Sequence, residues 1–147
     1  MKITLNGKNG IYLFENEGTN VLRPNGRFSL VFRGTDTASG KDVIIKQLHP
    51  RLSGSQNEIK RFSDEFTIKP ELDFIPAAVD YVEQNGKYYI IREYFPGTDF
   101  KYFMTKGADR RKLNTKEKLG ILIQLFGKVK LLHDKGFVHG DIKPSNF

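Results

Sequence analysis

Apolar and polar positions follow a short period through the first half of the chain and a helical one through the second. Ile3 to Phe14 holds two short apolar runs separated by Asn6-Gly7-Lys8-Asn9-Gly10, a turn-rich stretch that predicts a hairpin. A further strand pair is predicted to flank Pro24-Asn25-Gly26-Arg27. Phe28, Leu30 and Phe32 alternate there with Ser29, Val31 and Arg33, the period of a half-buried strand. Asp36 and Gly40 mark a turn, and the apolar run Val43-Ile44-Ile45 follows. The first helix is expected from Ser55. Ser55 and Glu58 have capping-box spacing, and Ile59, Phe62 and Phe66 then share one face. Pro70 limits it, because proline cannot continue the hydrogen-bond ladder. Strands return over Ala78 to Val82 and Lys87 to Tyr94, joined at Asn85-Gly86, and Pro96-Gly97 breaks the pattern.

The second half reads as helical. Asp99 to Thr105 fits a short helix. Lys116 to Lys135 is long, with Leu119, Leu122, Phe126, Val129 and Leu132 on one stripe. Ile121, Ile123 and Leu125 widen that stripe, so the helix expects burial on most sides. The residues after Leu132 offer little to cover it, and a partner layer is therefore expected.

Composition narrows the class. Of the 147 residues, 38% are hydrophobic and 28% charged, the mix of a globular domain. No apolar run approaches the ~20 residues of a membrane helix. There is no cysteine, which excludes disulfides and thiolate metal sites. The N-terminal residues alternate and lack the apolar core of a secretory signal. These absences point to a cytoplasmic location. The net charge of +7 is scattered. Its densest clusters, Lys106 to Lys118 and Arg23 to Arg33, do not alternate with stacking aromatics. They read as a solvated basic face, with no specific nucleic-acid partner.

One constellation carries chemistry: His139-Gly140-Asp141-Ile142-Lys143-Pro144-Ser145-Asn146, directly after the long helix. As His-x-Asp alone it would be any capped loop. As His-x-Asp-x-Lys-Pro-x-Asn it resembles the catalytic loop of Ser/Thr protein kinases of the bacterial type. Other pieces of that family occur in order. Val43-Ile44-Ile45-Lys46 is similar to its V-A-I-K strand, and Glu65, nineteen positions on, to the glutamate of its αC helix. Each would otherwise read as an ordinary surface charge. Pro24 to Phe32 resembles the Gly-rich loop G-x-G-x-x-G-x-V, with Gly26 kept, Pro24 and Ser29 at the other glycine positions, and Val31 in place. Ile90 to Asp99 resembles the strand and hinge between the two kinase lobes.

The resemblance implies an α+β fold: a five-stranded antiparallel N-lobe sheet with αC, a hinge and the first C-lobe helices only. The expected organisation is an N-terminal hairpin at 1–19, the N-lobe at 20–95, and hinge plus partial C-lobe at 96–147. It implies ATP and Mg²⁺ as cofactors and a protein substrate. Lys46 would reach the phosphates and Glu65 would hold it; Gly26, Val31 and Ile44 would surround the nucleotide. The backbone of Glu93 and Phe95 would bond the adenine, and Asp99 the ribose, unless Asp99 serves only as a helix cap. Asp141 would be the base, Lys143 the transition-state cation and Asn146 the Mg²⁺ ligand. The match stops before the D-F-G metal aspartate, so a fragment with weak nucleotide binding and negligible transfer is expected.

Departures from the pattern keep other readings open. Gly140 stands where the family has arginine, and His-Gly-Asp is similar to small-molecule phosphotransferases of the aminoglycoside type. Ile44 replaces the small alanine over adenine, and Arg92 falls at the gatekeeper position. Arg92 either pairs with Glu65, in competition with Lys46, or turns outward. With Pro24, these changes favour a non-catalytic pseudokinase that binds a partner. The uncovered helix leaves room for a homo-oligomer, or for a second chain that supplies the missing C-lobe.

Overall fold

The computed structural model describes residues 1–23, 26–105 and 113–146. Pro24 of the Gly-rich loop and most of the Lys106 to Lys118 cluster lie outside them. The chain divides into two units, Met1–Phe95 and Pro96–Phe147.

The first unit is one antiparallel sheet with a helix. Its strands are β1 (Lys2–Asn6), β2 (Ile11–Glu15), β3 (Val21–Arg23), β4 (Ser29–Asp36), β5 (Asp42–Leu48), β6 (Ala78–Gln84) and β7 (Lys87–Glu93), with α1 (Gln56–Thr67) between β5 and β6. The order is β1-β2-β4-β5-β7-β6, and β3 also pairs with β4. The five strands expected after the N-terminal hairpin are β3 to β7, and the predicted hairpin, β1 and β2, joins them in the same sheet. The position beside β4 is filled twice: β2 pairs Tyr12 with Asp36 and Phe14 with Gly34, and β3 pairs Val21 with Phe32 and Arg23 with Val31. A 3₁₀ turn at Gly18–Asn20 interrupts that position. In addition, β1 extends the sheet by one strand.

The sheet then curls until β1 meets β6 through side chains. Asn6 N donates to Gln84 Oε1 at 3.1 Å, and Gln84 Nε2 donates back to Thr4 O at 2.8 Å. Asn9 N (2.8 Å) and Tyr12 OH (3.2 Å) donate to Oδ2 of Asp80, which is only 2% exposed. Tyr81 N donates to its Oδ1 at 2.9 Å. A buried carboxylate is tolerable when donors surround it, and these three do so.

The curled sheet has a core on each face. Leu5, Tyr12, Phe14, Phe32, Val43, Ile45, Val82, Tyr89 and Ile91 fill the inner one. Leu48 and Ile90 meet Phe62 on the other, with Ile59, Phe66 and Tyr81 packed around them. Alternation along β5 thus sends Val43 and Ile45 one way and Leu48 the other, which accounts for its unbroken apolar run. The predicted face of α1 is the one buried, and Phe62 alone contributes about 2 kcal/mol. Ser55 Oγ accepts from Glu58 N at 3.4 Å, one half of the predicted capping box. Asn85 and Gly86 take φ of 54° and 67°, the left-handed turn that their sequence predicts. Phe28 breaks its predicted alternation: it precedes β4 and is 53% exposed.

The second unit holds α2 (Phe100–Thr105), α3 (Thr115–Asp134) and a 3₁₀ turn at Pro144–Asn146. A complete capping box starts α3: Asn114 Oδ1 accepts from Glu117 N, and Glu117 Oε2 accepts from Asn114 N. Val129 and Leu132 are buried, whereas Leu119, Leu122, Ile123 and Phe126 are exposed. No helix among the described residues is long and apolar enough to cross a membrane.

Candidate active site

In the first unit, the ladder between β4, β5 and β7 sets the chemistry. Val31 lies opposite Lys46, and Ile44 opposite Arg92. Because directly paired residues share a face, Val31, Ile44, Lys46 and Arg92 all lie on the side of the sheet that carries α1. One turn past Phe62, Glu65 extends from α1 toward that face. Lys46 Nζ donates to Glu65 Oε2 at 2.5 Å, with both side chains about a third exposed or less. Lys46 Nζ also lies 5.7 Å from the centre of the Phe62 ring.

Arg92 turns inward. Its Nη2 donates to Glu65 Oε1 at 3.4 Å, and its Nη1 to Pro76 O at 3.1 Å. The expected competition with Lys46 does not arise, because each cation takes a different oxygen of Glu65. An open cleft of about 280 Å³ lies beside the pair, with Phe28, Ser29, Leu48 and Arg61 among its walls.

The loop before β4 is held at its tip. Arg51 Nη2 donates to Arg27 O at 2.6 Å, and His49 N donates to Phe28 O at 2.9 Å. A Cβ at Gly26 would overlap the carbonyl oxygen of Ser29, so the tight turn there admits only glycine. Nothing in the sequence patterning singled out Arg51. Glu93 folds back on the chain before β6: its N–H donates to Ala77 O, and its Oε2 accepts from Ala77 N, both at 3.0 Å. Phe95 is 46% exposed.

The second unit carries the loop residues. Lys143 Nζ (2.6 Å) and Asn146 Nδ2 (2.9 Å) both donate to Asp141 Oδ2. Asn146 Nδ2 also reaches Asp141 O at 2.8 Å, and Asp141 N donates to His139 Nδ1 at 3.2 Å. The hydrogen bonds from Lys143 and then Asn146 hold the Asp141 carboxyl below the usual aspartate range. It is therefore an ionised acceptor at neutral pH. Gly140 has φ of 73°, a left-handed conformation that suits glycine at the position where the motif has arginine. Asp99 Oδ1 accepts from Tyr102 N at 2.7 Å and caps α2, so its cap role is realised.

The predicted residues thus gather into two groups, one per unit: Lys46 with Glu65, and Asp141 with Lys143 and Asn146. Among the described residues, no three of His, Cys, Asp and Glu cluster as metal ligands. The donor expected to fit Mg²⁺ is the Asn146 carboxamide oxygen, on the side chain whose Nδ2 faces Asp141. A hard cation suits such a donor.

The His139 to Asn146 loop and a lysine–glutamate pair between strand and helix point to a class, and the family comparison agrees. The model of the protein kinase domain matches residues 24–147, so the chain belongs to that family. Among its relatives is the serine/threonine-protein kinase PrkC of Bacillus subtilis, 31% identical over 123 residues, which are 82% of this chain and 18% of PrkC. The serine/threonine-protein kinase D of Synechocystis is 29% identical over 132 residues, 83% of this chain and 25% of that protein. The chain therefore spans a quarter or less of these two relatives. The kinase domain of Mycobacterium tuberculosis PknI superposes with a TM-score of 0.66 at 23% identity, covering 97% of this chain and 55% of that structure. Rad53 1–466, solved in complex with AMP-PNP, gives 0.70 at 22% identity, covering 96% and 36%. These likenesses support the α+β kinase fold. Residues 1–23, with β1, β2 and β3, lie outside the family match.

Proposed function

We propose that this chain is the nucleotide-binding segment of a Ser/Thr-type protein kinase, with ATP and Mg²⁺ as its ligands and a protein hydroxyl as the acceptor. The observation that carries the reading is the Lys46–Glu65 pair, made across 19 positions between a strand and a helix. A lysine held in this way presents its ammonium to phosphate oxygens. Val31 and Ile44 would cover the adenine, and the backbone of Glu93 and Phe95 would bond its edge. Asp99, already capping α2 through one oxygen, would accept from a ribose hydroxyl through the other. The Gly26 turn would bring backbone close to the phosphates.

In the other unit, Asp141 would accept the proton of the acceptor hydroxyl as its oxygen bonds to phosphorus and the bond to the ADP leaving group breaks. Lys143 would neutralise charge on the phosphoryl oxygens. Asn146 would hold Mg²⁺, which would supply charge neutralisation for the phosphates. With so few metal donors among the described residues, residues 1–147 alone should transfer phosphate slowly. The apolar stripe of Leu119, Leu122, Ile123 and Phe126 favours a second copy or further polypeptide covering α3.

Calorimetry of ATP with and without Mg²⁺, on the wild type and on Lys46→Ala, tests the reading. Saturable binding should weaken about tenfold or more in Lys46→Ala, ~1.4 kcal/mol or above. Absence of binding to the wild type in both conditions would overturn it in favour of a partner-binding pseudokinase.

A further inference from the structure

Arg92 lies on the site face, and the kinase reading does not use its chemistry. Its guanidinium meets three acceptors from two segments. On α1 these are the Glu65 carboxylate (Oε1, 3.4 Å) and the Glu65 backbone carbonyl (3.5 Å). On the linker before β6 it is the carbonyl of Pro76, at 3.1 Å. The side chain is 20% exposed, so it needs such acceptors: a guanidinium removed from water is costly unless its fork is occupied.

The position of the Glu65 carbonyl gives these contacts a purpose. α1 ends at Thr67, so the carbonyl of Glu65 is among the last four, which have no partner within the helix. No basic side chain stands in the last turn of α1 to complement its negative end. Arg92 supplies that charge from the neighbouring strand β7. It also occupies one oxygen of Glu65 and leaves the other to Lys46.

We propose that Arg92 is a positioning residue that caps α1 from the sheet. It fixes Glu65 so that the Lys46–Glu65 pair stands assembled before any nucleotide arrives. Its consequence for ATP rests on the nucleotide-binding reading above, whereas the capping itself does not. α1 is thereby tied to β7 and to the linker by one planar group. A lysine cannot reproduce this, since its single ammonium has no fork to span a carboxylate and two carbonyls.

The test compares the whole chain with Arg92→Met, which keeps the length and apolar stem, and with Arg92→Lys. Amide hydrogen exchange reads the capping without any ligand. Arg92→Met should speed exchange in the last turn of α1, at Glu65, Phe66 and Thr67, by about tenfold, the scale of one lost charge-assisted hydrogen bond. The amides of β1 and β2 should keep their rates, which separates a lost cap from general loosening. Arg92→Lys should fall between the two.

The second arm measures Mg²⁺–ATP affinity in a double-mutant cycle. Arg92→Met should raise Kd about tenfold in the wild-type background and less than about twofold in Glu65→Ala, because it acts through Glu65. Unchanged exchange in α1, or equal effects of Arg92→Met in both backgrounds, would overturn the proposal. If the wild type binds no ATP, the nucleotide reading fails, and the exchange arm alone decides on Arg92. If Arg92→Met does not fold, Arg92→Lys carries both arms.

Discussion

Replacing Tyr12 by phenylalanine should remove an alkaline weakness from the first unit at a small cost in stability at neutral pH. Burial, and then the Asp80 carboxylate, push the Tyr12 hydroxyl from its ordinary value of 10 up to about 12. The folded state therefore favours the neutral phenol. Its contribution is complete below pH 10 and is lost as the pH rises from 10 to 12. A shift of that size corresponds to about 2–3 kcal/mol across the window. At pH 8, Tyr12→Phe loses one hydrogen bond to a buried carboxylate, about 1–2 kcal/mol, while Asn9 and Tyr81 still serve Asp80. Urea unfolding followed by far-UV circular dichroism should thus find the wild type more stable at pH 8. The gap should close, or reverse, by about pH 11.5. Tyr81 and Tyr89 are also raised by burial, but both proteins contain them, and they cancel in the difference. A gap that stays constant from pH 8 to pH 11.5 would refute the argument.

Two further outcomes follow from the same structure. The Asp141 carboxyl carbon should titrate by NMR below the usual aspartate range, and Lys143→Ala should move its midpoint upward. The loop's bonds to this carboxylate are then present above the ordinary aspartate pKa and are lost as the pH falls through the lowered value; identical midpoints would exclude the Lys143 contact. Gly34→Ala should lower stability by about 1–3 kcal/mol in a urea titration. Its Cβ would lie 2.5 Å from Ile45 Cδ1 and 2.7 Å from Leu13 O, and an unchanged midpoint would show that β2 and β4 can separate without cost.

Local signals were the legible ones. Asn85-Gly86 announces its hairpin because few residues adopt two successive positive φ angles, and Ser55 announces α1 because a hydroxyl there accepts from the first turn. The loop from His139 to Asn146 was legible because Asp141, Lys143 and Asn146 are close in sequence and bond to one another. What pairwise contact across long separations decides was hidden. The closure of β1 on β6 depends on Gln84 and Asp80, and neither residue looks unusual in its own strand. The side chain of Arg92 had two plausible directions until α1 and the linker were in place around it. The Asn114–Glu117 box carried a readable Asn-x-x-Glu signal that the apolar stripe of α3 overshadowed.

The latch between Tyr12 and Asp80 also sets an order of events on the ribosome. Sixty-eight positions separate the two residues. At roughly 5–20 residues per second, several seconds pass between the emergence of the first hairpin and that of its anchor. An isolated two-stranded hairpin is marginal in water, and although β2 can pair with β4 once that strand emerges, the carboxylate that takes the Tyr12 hydroxyl is still missing. The hairpin therefore gains its closing contact only after β6 has emerged, and nascent-chain lengths that stop short of β6 should engage holding chaperones more than longer ones.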